Sequence, residues 1–301
     1  MTMSRVLRLG GRASKLSLVQ AELASQALAA IGLETEFVPI ETQGDRDRTS
    51  SLRSIGGQGV FVRAVEAALL NGEIDLAVHS AKDVPPTVSE GTSLAAYLPR
   101  GDVRDALVSR GDMGVLDLPQ GATVGTGSRR RAAQLLRLRP DLEVVDIRGN
   151  VDTRIGKVEA GEFHAVIVAA AGLQRLERVA TEVLPIDLMM PSPGQGALVV
   201  QCRSEDAELI SAANDTPTCL AVSAERAMLR ALGAGCSLPL AALGGARGGE
   251  VLVAGRLLSG DGSERIEVQR SGEDPESVGA EVAATLLERG GRRLMEEDAE
   301  S

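Results

Sequence analysis

The sequence predicts an α/β protein, with two α/β units built on mixed, mostly parallel sheets and a smaller C-terminal α+β unit with an antiparallel sheet. Short apolar strands alternate with amphipathic helices up to about residue 200, which is typical of mostly parallel sheets. Two of those strands run into small-residue turns at which helices begin. Past about residue 217, three runs alternate apolar and polar residues, as antiparallel strands do.

The composition excludes several classes of protein. The chain has 301 residues, enough for two or three domains with their own cores, and a formal net charge of −10. So acidic a chain argues against non-specific nucleic-acid binding and a basic membrane-surface role. No apolar run approaches membrane-spanning length, and arginines interrupt the opening residues where a secretory signal would lie. Three scattered cysteines form neither a disulfide framework nor a zinc pattern, so we expect a cytoplasmic protein without a metal.

The first unit opens with a strand at Val6–Gly10 and a helix that starts after Ser14 and stops at Gly32. Serine is a favoured N-cap, and glycine is a common residue just past a helix end. A second strand follows at Glu36–Ile40. Residues 42–58 are polar and glycine-rich without periodicity, which favours a mobile functional loop.

A helix at Val60–Leu70 and a buried strand at Ile74–Val78 complete the first β-α-β-α-β series. The strand runs into Lys82 and Asp83, which precede two prolines that restrict the local backbone. Ligands of open α/β sheets bind beyond the carboxyl ends of the strands. By residue type alone, Asp83 is more often a turn aspartate than a catalytic carboxylate, and both interpretations stay open.

The second unit extends from about Asp102 to Pro191. Its predicted elements are the strands Ala106–Ser109, Thr123–Gly125, Glu143–Ile147 and Ala165–Ala169 and the helices 129–138 and 151–160. The apolar strand Ala197–Cys202 is expected to return the chain to the first unit, which gives two lobes with a cleft between them. A helix is expected at 205–213.

An arginine-rich stretch runs from Thr123 to Arg154, and Ser128 and Asn150 are N-cap residues for its two helices. Helix N-termini bind anions through free N–H groups and the helix dipole. Arginine there opposes the dipole, so the pattern indicates an anion site, with surface salt bridges as the alternative. The arginines concerned are Arg129, Arg130, Arg131, Arg148 and Arg154. Arg137 and Arg139, at the far end of the first helix, are interpreted as ordinary solvated charges.

The C-terminal unit begins with a helix at Cys219–Leu232. The predicted strands are Leu238–Leu243, Val251–Leu258 and Arg265–Arg270, with a turn at Asp261-Gly262, a helix at 278–289 and a frayed acidic tail. Cys236 lies in a glycine-flanked loop that a ligand could approach, although a structural thiol is the commoner case. Cys202 and Cys219 are expected to be core residues.

These motifs, in this order and over nearly the whole chain, resemble the porphobilinogen deaminase (hydroxymethylbilane synthase) family of tetrapyrrole and haem biosynthesis. The matching segments are Leu9-Gly-Gly-Arg-Ala-Ser14, Gly56-Gly-Gln-Gly-Val-Phe61, Asp75-Leu-Ala-Val-His-Ser-Ala-Lys-Asp-Val-Pro85, Val145-Asp-Ile-Arg-Gly-Asn-Val-Asp-Thr-Arg154, Ala169-Ala-Ala-Gly-Leu-Gln-Arg175, Pro193-Gly-Gln-Gly-Ala197 and Gly235-Cys-Ser-Leu-Pro239.

The resemblance implies three domains, of which two are lobes like those of periplasmic binding proteins. We expect domain 1 at 1–98 and 196–215, domain 2 at 101–192, and a cofactor-carrying domain 3 at 217–301. It also implies a transferase that adds four porphobilinogen units head to tail, with loss of ammonia, to a covalent dipyrromethane, and then releases hydroxymethylbilane by hydrolysis.

The resemblance also implies the roles of individual residues. The dipyrromethane is held by a thioether to Cys236, Asp83 is the catalytic carboxylate, and Lys82 assists it. Substrate and cofactor carboxylates are bound by Arg12, Ser14, Ser128, Arg130, Arg131, Arg148, Arg154, Arg175 and Gln195. Each pyrrole carries two carboxylates, so a growing chain of pyrroles needs several arginines.

The sequence departs from the family pattern at a few positions. The family usually has serine–serine–leucine before its arginine pair, where this chain has Thr126-Gly127-Ser128-Arg129. Gly11 replaces a usual threonine, and Gln58 replaces a common lysine. A non-enzymatic two-lobed anion-binding protein and a ligand-sensing regulatory domain are the alternatives. The first would not explain Cys236 or Asp83 and would usually carry an export signal. The second would normally need a separate output module, and none is visible. We expect a monomer, because no broad apolar surface stripe stands out.

Overall fold

A computed structural model describes residues 5–40, 59–233 and 238–300. The predicted loop at 42–58 and the predicted cofactor-attachment residue Cys236 lie outside these ranges. Within them, the chain forms two compact units, one of residues 1–100 and 197–219 and the other of residues 101–196 and 220–301. The second unit contains both the second α/β sheet and the C-terminal sheet, and the predicted division into three domains stays a prediction.

The strands occur in the order that the sequence predicts, with two additions. They are β1 Leu7–Gly11, β2 Thr35–Pro39, β3 Leu76–Ser80, β4 Thr92–Tyr97, β5 Asp105–Ser109, β6 Thr123–Gly125, β7 Glu143–Val145, β8 Ala165–Ala169, β9 Glu182–Val183, β10 Leu198–Arg203, β11 Leu240–Arg247, β12 Glu250–Leu258 and β13 Arg265–Gly272. The sequence analysis missed β4 and β9.

The helices also follow the predicted order, but the sequence analysis missed those at Ala170–Arg175 and Arg292–Glu300. They are α1 Lys15–Ala29, α2 Gly59–Leu70, α3 Arg129–Leu138, α4 Val151–Glu159, α5 Ala170–Arg175, α6 Ala207–Ile210, α7 Thr216–Leu232, α8 Pro275–Leu286 and α9 Arg292–Glu300. The predicted helix at 205–213 is a four-residue α-helix flanked by 3₁₀ turns. The tail predicted to fray is helical, because Leu294 is buried in the C-terminal core.

The first unit is built on a five-stranded sheet in the order β2-β1-β3-β10-β4. β1 pairs in parallel with β2 and β3, and β10 is antiparallel to β3 and β4. Four strands therefore run in one direction, and the returning strand β10 runs against them. Apolar residues of α1 and of these strands form the core, among them Leu9, Leu28, Leu76 and Leu198.

The second unit repeats this layout in the order β7-β6-β8-β5-β9. β6 pairs in parallel with β7 and β8, and β5 is antiparallel to β8 and β9. Leu107, Val124, Leu135 and Ile167 form its core. In each sheet, parallel strands bring their carboxyl ends to one edge, and both clusters of predicted site residues follow such ends.

The C-terminal part of the second unit is an antiparallel sheet in the order β11-β12-β13. Helices α7 and α8 cover it, and Met228, Val253, Val282 and Leu286 lie in the shared core. Gly279 lies so close to α7 that a Cβ there would be 2.3 Å from the Ala224 carbonyl oxygen. The predicted mixed α/β sheets and antiparallel C-terminal sheet are confirmed.

Candidate functional site

In the first unit, strand β3 delivers Lys82 and Asp83 to the carboxyl edge of the sheet. After Ser80 the chain forms a 3₁₀ turn over Ala81–Asp83, closed by the Val84 N–H donating to the Ala81 carbonyl at 3.3 Å. Lys82 and Asp83 are half-buried. Within the described ranges, the Asp83 carboxylate has no hydrogen-bond or ion-pair partner. The Asp83 carboxylate therefore makes no structural contact in these ranges that would compete with a ligand.

Arg12 and Ser14 follow β1, which pairs in parallel with β3, so they lie at the same sheet edge as Asp83. Ser14 caps α1 as predicted, since its Oγ accepts from the Ser17 N–H at 3.3 Å. The Arg12 guanidinium is exposed and lies 3.9 Å from the centroid of the Phe61 ring, a cation–π contact. Ser14 thus has a structural role in this unit, while Arg12 is presented to solvent.

Behind this edge lies a buried polar cluster that the sequence analysis missed. Glu66 of α2 accepts from Gln201 Nε2 at 2.8 Å, from the Ser89 hydroxyl at 2.6 Å and from the Ser89 N–H at 3.2 Å. His79, on β3, is buried beside Gln201, and its Nε2 has no hydrogen-bond partner within the described ranges. Burial lowers the pKa of His79 to about 4, so the imidazole is neutral at pH 7. The sequence signal that could have revealed this cluster is Glu66, a charged residue on the apolar face of a predicted helix.

In the second unit, two of the predicted anion-binding arginines pair with a buried aspartate. Arg130 and Arg131 are 4% and 7% exposed, and Asp105, at the start of β5, is 0% exposed. Arg130 Nη1 lies 2.7 Å from Asp105 Oδ2, and Arg131 donates from Nε at 3.0 Å and from Nη2 at 2.7 Å to Asp105 Oδ1. Burial alone would raise the pKa of Asp105, but the two guanidinium groups outweigh it and hold that pKa well below its usual range. One carboxylate offsets only one of the two positive charges.

Arg148 and Arg154, from the second arginine motif, extend this positive region. Burial lowers the pKa of Arg154, and the positive charges of Arg131 and Arg148 lower it further, while the carboxylate of Asp146 opposes them. Arg154 donates from Nε to the Gly149 carbonyl at 2.9 Å, and Arg148 pairs with Asp146 at 3.1 Å in an exposed ion pair. Three guanidinium groups therefore lie near one another with too few carboxylates to balance them, which favours anion binding.

Three further predicted site residues differ in the number of hydrogen bonds that their side chains make within the protein: Ser128, Arg175 and Gln195. Ser128 precedes α3, but its side chain makes no capping hydrogen bond. Arg175 is half-buried, and its Nη2 donates to the Gly196 carbonyl at 2.9 Å. Gln195 is buried, and its Nε2 donates to the Val103 carbonyl at 2.8 Å and to Asp105 Oδ1 at 3.0 Å. Gln195 thus supports the Asp105 cluster from the glycine-rich turn before β10.

Arg137 and Arg139 were interpreted as ordinary solvated charges; Arg137 is exposed and Arg139 half-buried, but both also make contacts that were not predicted. Arg137 Nη1 donates to the carbonyls of Gly262 and Ser263 at 3.2 and 3.1 Å. Arg139 pairs with Asp141 and donates to the carbonyls of Val115, Leu116 and Leu118. Sequence spacing gave no sign of these contacts, since the hairpin that Arg137 binds is more than 120 residues away.

The described cysteines agree with a structural role in one case and partly in the other. Cys202 is buried in β10, and burial raises the pKa of its thiol to about 11. Cys219 is in α7 but only half-buried, because it lies near the start of the helix. Among the described residues, no group of three or more His, Cys, Asp or Glu side chains is placed to hold a metal ion. No helix in those ranges is long and apolar enough to cross a membrane.

Comparison with known proteins gives matches along most of the chain. A family model described as "Porphobilinogen deaminase, dipyromethane cofactor binding domain" matches residues 7–211, and one described as "Porphobilinogen deaminase, C-terminal domain" matches residues 219–288. A porphobilinogen deaminase of Rubrobacter xylanophilus is 49% identical over 293 residues, covering 96% of each chain. One of Geobacillus kaustophilus is 43% identical over 300 residues, covering 97% of each chain.

Similarity to solved structures is weaker. The periplasmic VFT2 domain of Bordetella pertussis BvgS is 18% identical, with a TM-score of 0.42, and the match covers 69% of this chain and 85% of that one. A putative methionine-binding lipoprotein of Bacillus subtilis is 12% identical, also with a TM-score of 0.42, over 70% of this chain and 91% of that one. The description of the fold therefore depends on the strand order and register given above.

Proposed function

The chain belongs to the porphobilinogen deaminase family, and from this premise we propose how its residues join four porphobilinogen molecules head to tail into hydroxymethylbilane. Each addition releases ammonia from an aminomethyl group and forms a carbon–carbon bond between two pyrroles. The observation that carries the proposal is the set of four arginines, Arg130, Arg131, Arg148 and Arg154, whose ion pairs within the described ranges involve only two carboxylates, Asp105 and Asp146. A ligand that carries two carboxylates on every ring supplies the missing negative charge.

We propose Asp83 as the catalytic carboxylate. When ammonia leaves, positive charge spreads over the pyrrole of the incoming substrate, and a carboxylate beside the ring nitrogen stabilises that charge. The same group accepts the proton that the attacking pyrrole carbon loses when that ring regains its aromaticity after the carbon–carbon bond has formed. The absence of a competing partner for Asp83 in the described ranges, and its place on a short turn before two prolines, support this role. Lys82, beside it, is proposed to assist with its positive charge.

The remaining predicted residues are proposed to bind carboxylates by different means. Arg148, Arg154 and Arg175 each donate to one protein oxygen and retain further N–H donors. Arg12 is proposed to bind a carboxylate because it is exposed at the sheet edge beside Asp83. Arg130 and Arg131 contribute the charge that Asp105 does not balance. Ser128, at the uncapped start of α3, can donate its hydroxyl. Ser14 and Gln195 act mainly by holding their surroundings in place, since both side chains already make hydrogen bonds.

The dipyrromethane of this family fits the residues present, because its carboxylates match the excess of guanidinium groups in the second unit. We propose that the Cys236 sulfur holds it by a thioether, with Arg131, Arg148 and Arg154 binding its carboxylates. When bound, the group supplies the pyrrole carbon to which the first substrate is joined. The protein's own part is to orient the carboxylates and to hold and move protons at Asp83.

Asp83→Asn tests the catalytic role. The variant keeps the size of the side chain but removes the charge and the proton acceptor, so turnover should fall by at least about 100-fold. Mass spectrometry of the intact protein should still show the mass of a dipyrromethane, and this mass should be absent in Cys236→Ser. Asp117→Asn, at an exposed position, is the matched control. Asp83→Asn with unchanged turnover would reject the role of Asp83, and wild-type protein without the added mass would reject the cofactor proposal.

We further propose that the protein acts as a cytoplasmic monomer and does not bind nucleic acid. The net charge of −10 supports the last point, since nucleic-acid backbones repel an acidic surface. Light scattering coupled to gel filtration would test the monomer, for which the mass of one chain, 31.3 kDa, is expected.

A further inference from the structure

We propose that the tight turn 259–263 between β12 and β13 and the side chain of Arg137 form a clamp on helix α3, and that Arg137 is a positioning residue for carboxylate binding at the other end of that helix. The inference rests on the proposed function for its effect on substrate, but the clamp itself can be tested without activity.

The turn lies directly against the backbone of α3. Gly262 has a φ of +75°. A Cβ at this position would be 2.1 Å from the Ala133 carbonyl oxygen and 2.9 Å from the backbone nitrogen of Arg137. Glycine is required here both for the backbone conformation and for the close approach. Arg137 closes the contact from the side of the helix, since Nη1 donates to the Gly262 and Ser263 carbonyls at 3.2 and 3.1 Å.

The turn is held together by hydrogen bonds among its own residues. Asp261 Oδ1 accepts from the Ser259 hydroxyl at 2.6 Å, from the Ser263 N–H at 3.0 Å and from the Ser263 hydroxyl at 2.8 Å. Ser259 Oγ also accepts from the Glu264 N–H at 2.9 Å. A turn fixed by its own hydrogen bonds loses little further conformational entropy when it docks.

A buried contact supports the same arrangement one helical turn closer to the arginines. Gln134 Oε1 accepts from Arg256 Nη1 at 2.8 Å and from the Met190 N–H at 2.9 Å, and its Nε2 donates to the Met190 carbonyl at 3.1 Å. Arg256, on β12, is held in turn by Glu267 at 2.9 Å. The C-terminal sheet therefore contacts α3 at Ala133, Gln134 and Arg137.

Helix α3 needs external support because its own sequence opposes its first turn. Arg129, Arg130 and Arg131 place positive charge at the positive end of the helix dipole, and Ser128 makes no capping hydrogen bond. The contacts at Ala133, Gln134 and Arg137 fix the position and rotation of the helix. Together with the Asp105 contacts of Arg130 and Arg131, they determine the direction in which the first-turn guanidinium groups point.

This geometry predicts an effect on substrate affinity rather than on the chemical step. Carboxylates are bound both in the ground state and in the transition state, so a misplaced helix weakens both equally. Arg137→Ala should therefore raise KM for porphobilinogen about three- to tenfold while kcat stays within about twofold. Arg137→Lys, which keeps a donor, should recover part of the loss.

The comparison uses the full-length protein with its cofactor. Arg270→Ala is the matched control, since Arg270 is on the same hairpin and donates to the Gln269 carbonyl and to Thr285 of α8 rather than to α3. Hydrogen exchange provides a readout independent of activity, and amides of 132–138 should exchange at least about threefold faster in Arg137→Ala than in the control. Unchanged exchange together with an unchanged KM would overturn the proposal, and so would a fall in kcat alone. If wild-type protein failed to use porphobilinogen, the proposed function would fail, and the exchange comparison would still decide whether the clamp exists.

Discussion

Removing the charge of Asp105 tests the physical basis of the arginine site most directly. Asp105→Asn keeps the shape of the side chain but leaves the guanidinium groups of Arg130 and Arg131 buried without a counter-charge. It also turns an NH₂ group toward donors, because an amide offers only one oxygen acceptor. The wild-type carboxylate accepts four hydrogen bonds, from Arg130 Nη1, Arg131 Nε and Nη2, and Gln195 Nε2.

The expected cost follows from this geometry. Removing one partner of a buried ion pair destabilises a protein by about 3–5 kcal/mol, and Asp105 is fully buried with both partners nearly so. At a urea m-value of roughly 2 kcal/mol/M, this loss lowers the unfolding midpoint by about 1.5–2.5 M. The loss in the free energy of unfolding should come mainly from the second unit, where all of these groups lie.

The assay is urea unfolding followed by far-UV circular dichroism, with m-values compared between variants. The matched control is Asp102→Asn, which removes the same charge three residues away. Asp102 pairs with the exposed Arg104, so its loss should cost less than about 1 kcal/mol. If the midpoints of Asp105→Asn and Asp102→Asn agree within about 0.25 M, the reasoning on the buried cluster is refuted.

Two further predictions concern His79 and Gly262. Because the folded-state pKa of His79 is about 4 and the unfolded value is near 6.5, the unfolded chain binds the proton first, so stability should fall by up to about 3 kcal/mol as the pH is lowered from 6.5 to 4. Replacing His79 with Gln should flatten this pH dependence of the urea midpoint, whereas the same change at the exposed His164 should leave it in place. If the midpoint changes equally with pH in both variants, the explanation from His79 is contradicted. Gly262→Ala should lower stability by roughly 3 kcal/mol or more, because steric overlap with Ala133 adds to the strain of a positive φ. Gly248→Ala has a positive φ of 62 with no atom within 4 Å and should cost only about 1 kcal/mol, so similar thermal shifts for the two would argue against the close contact.

Much of the fold could be predicted from local sequence patterns. Helix α3 at Arg129–Leu138 and strand β8 at Ala165–Ala169 have the predicted bounds. Asn150 caps α4 as expected, since its Oδ1 accepts from the Thr153 N–H at 2.9 Å. Each of these features depends on residues within a few positions of one another, so the sequence alone carries the signal.

Strands β4 and β9 escaped prediction because their stability comes from pairing with distant residues. β4 pairs with β10, about a hundred residues further on, and β9 has only two residues at the edge of its sheet. The acidic tail was predicted to fray, whereas the structure continues helix α9 into it. Leu294, which is 1% exposed, and the partly buried Met295 anchor this helix in a core that local pattern does not reveal.

Residue type and spacing are enough to identify the family, the acid that follows β3, and two arginine motifs at helix starts. Which partners those groups contact depends on the folded chain. Asp105 pairs with Arg130 and Arg131, and Arg154 lies near Arg131 and Arg148. Arg137 donates to a carbonyl of the hairpin between β12 and β13. The physical reason is that charge balance and burial depend on neighbours brought together by folding, and chain spacing does not encode those neighbours.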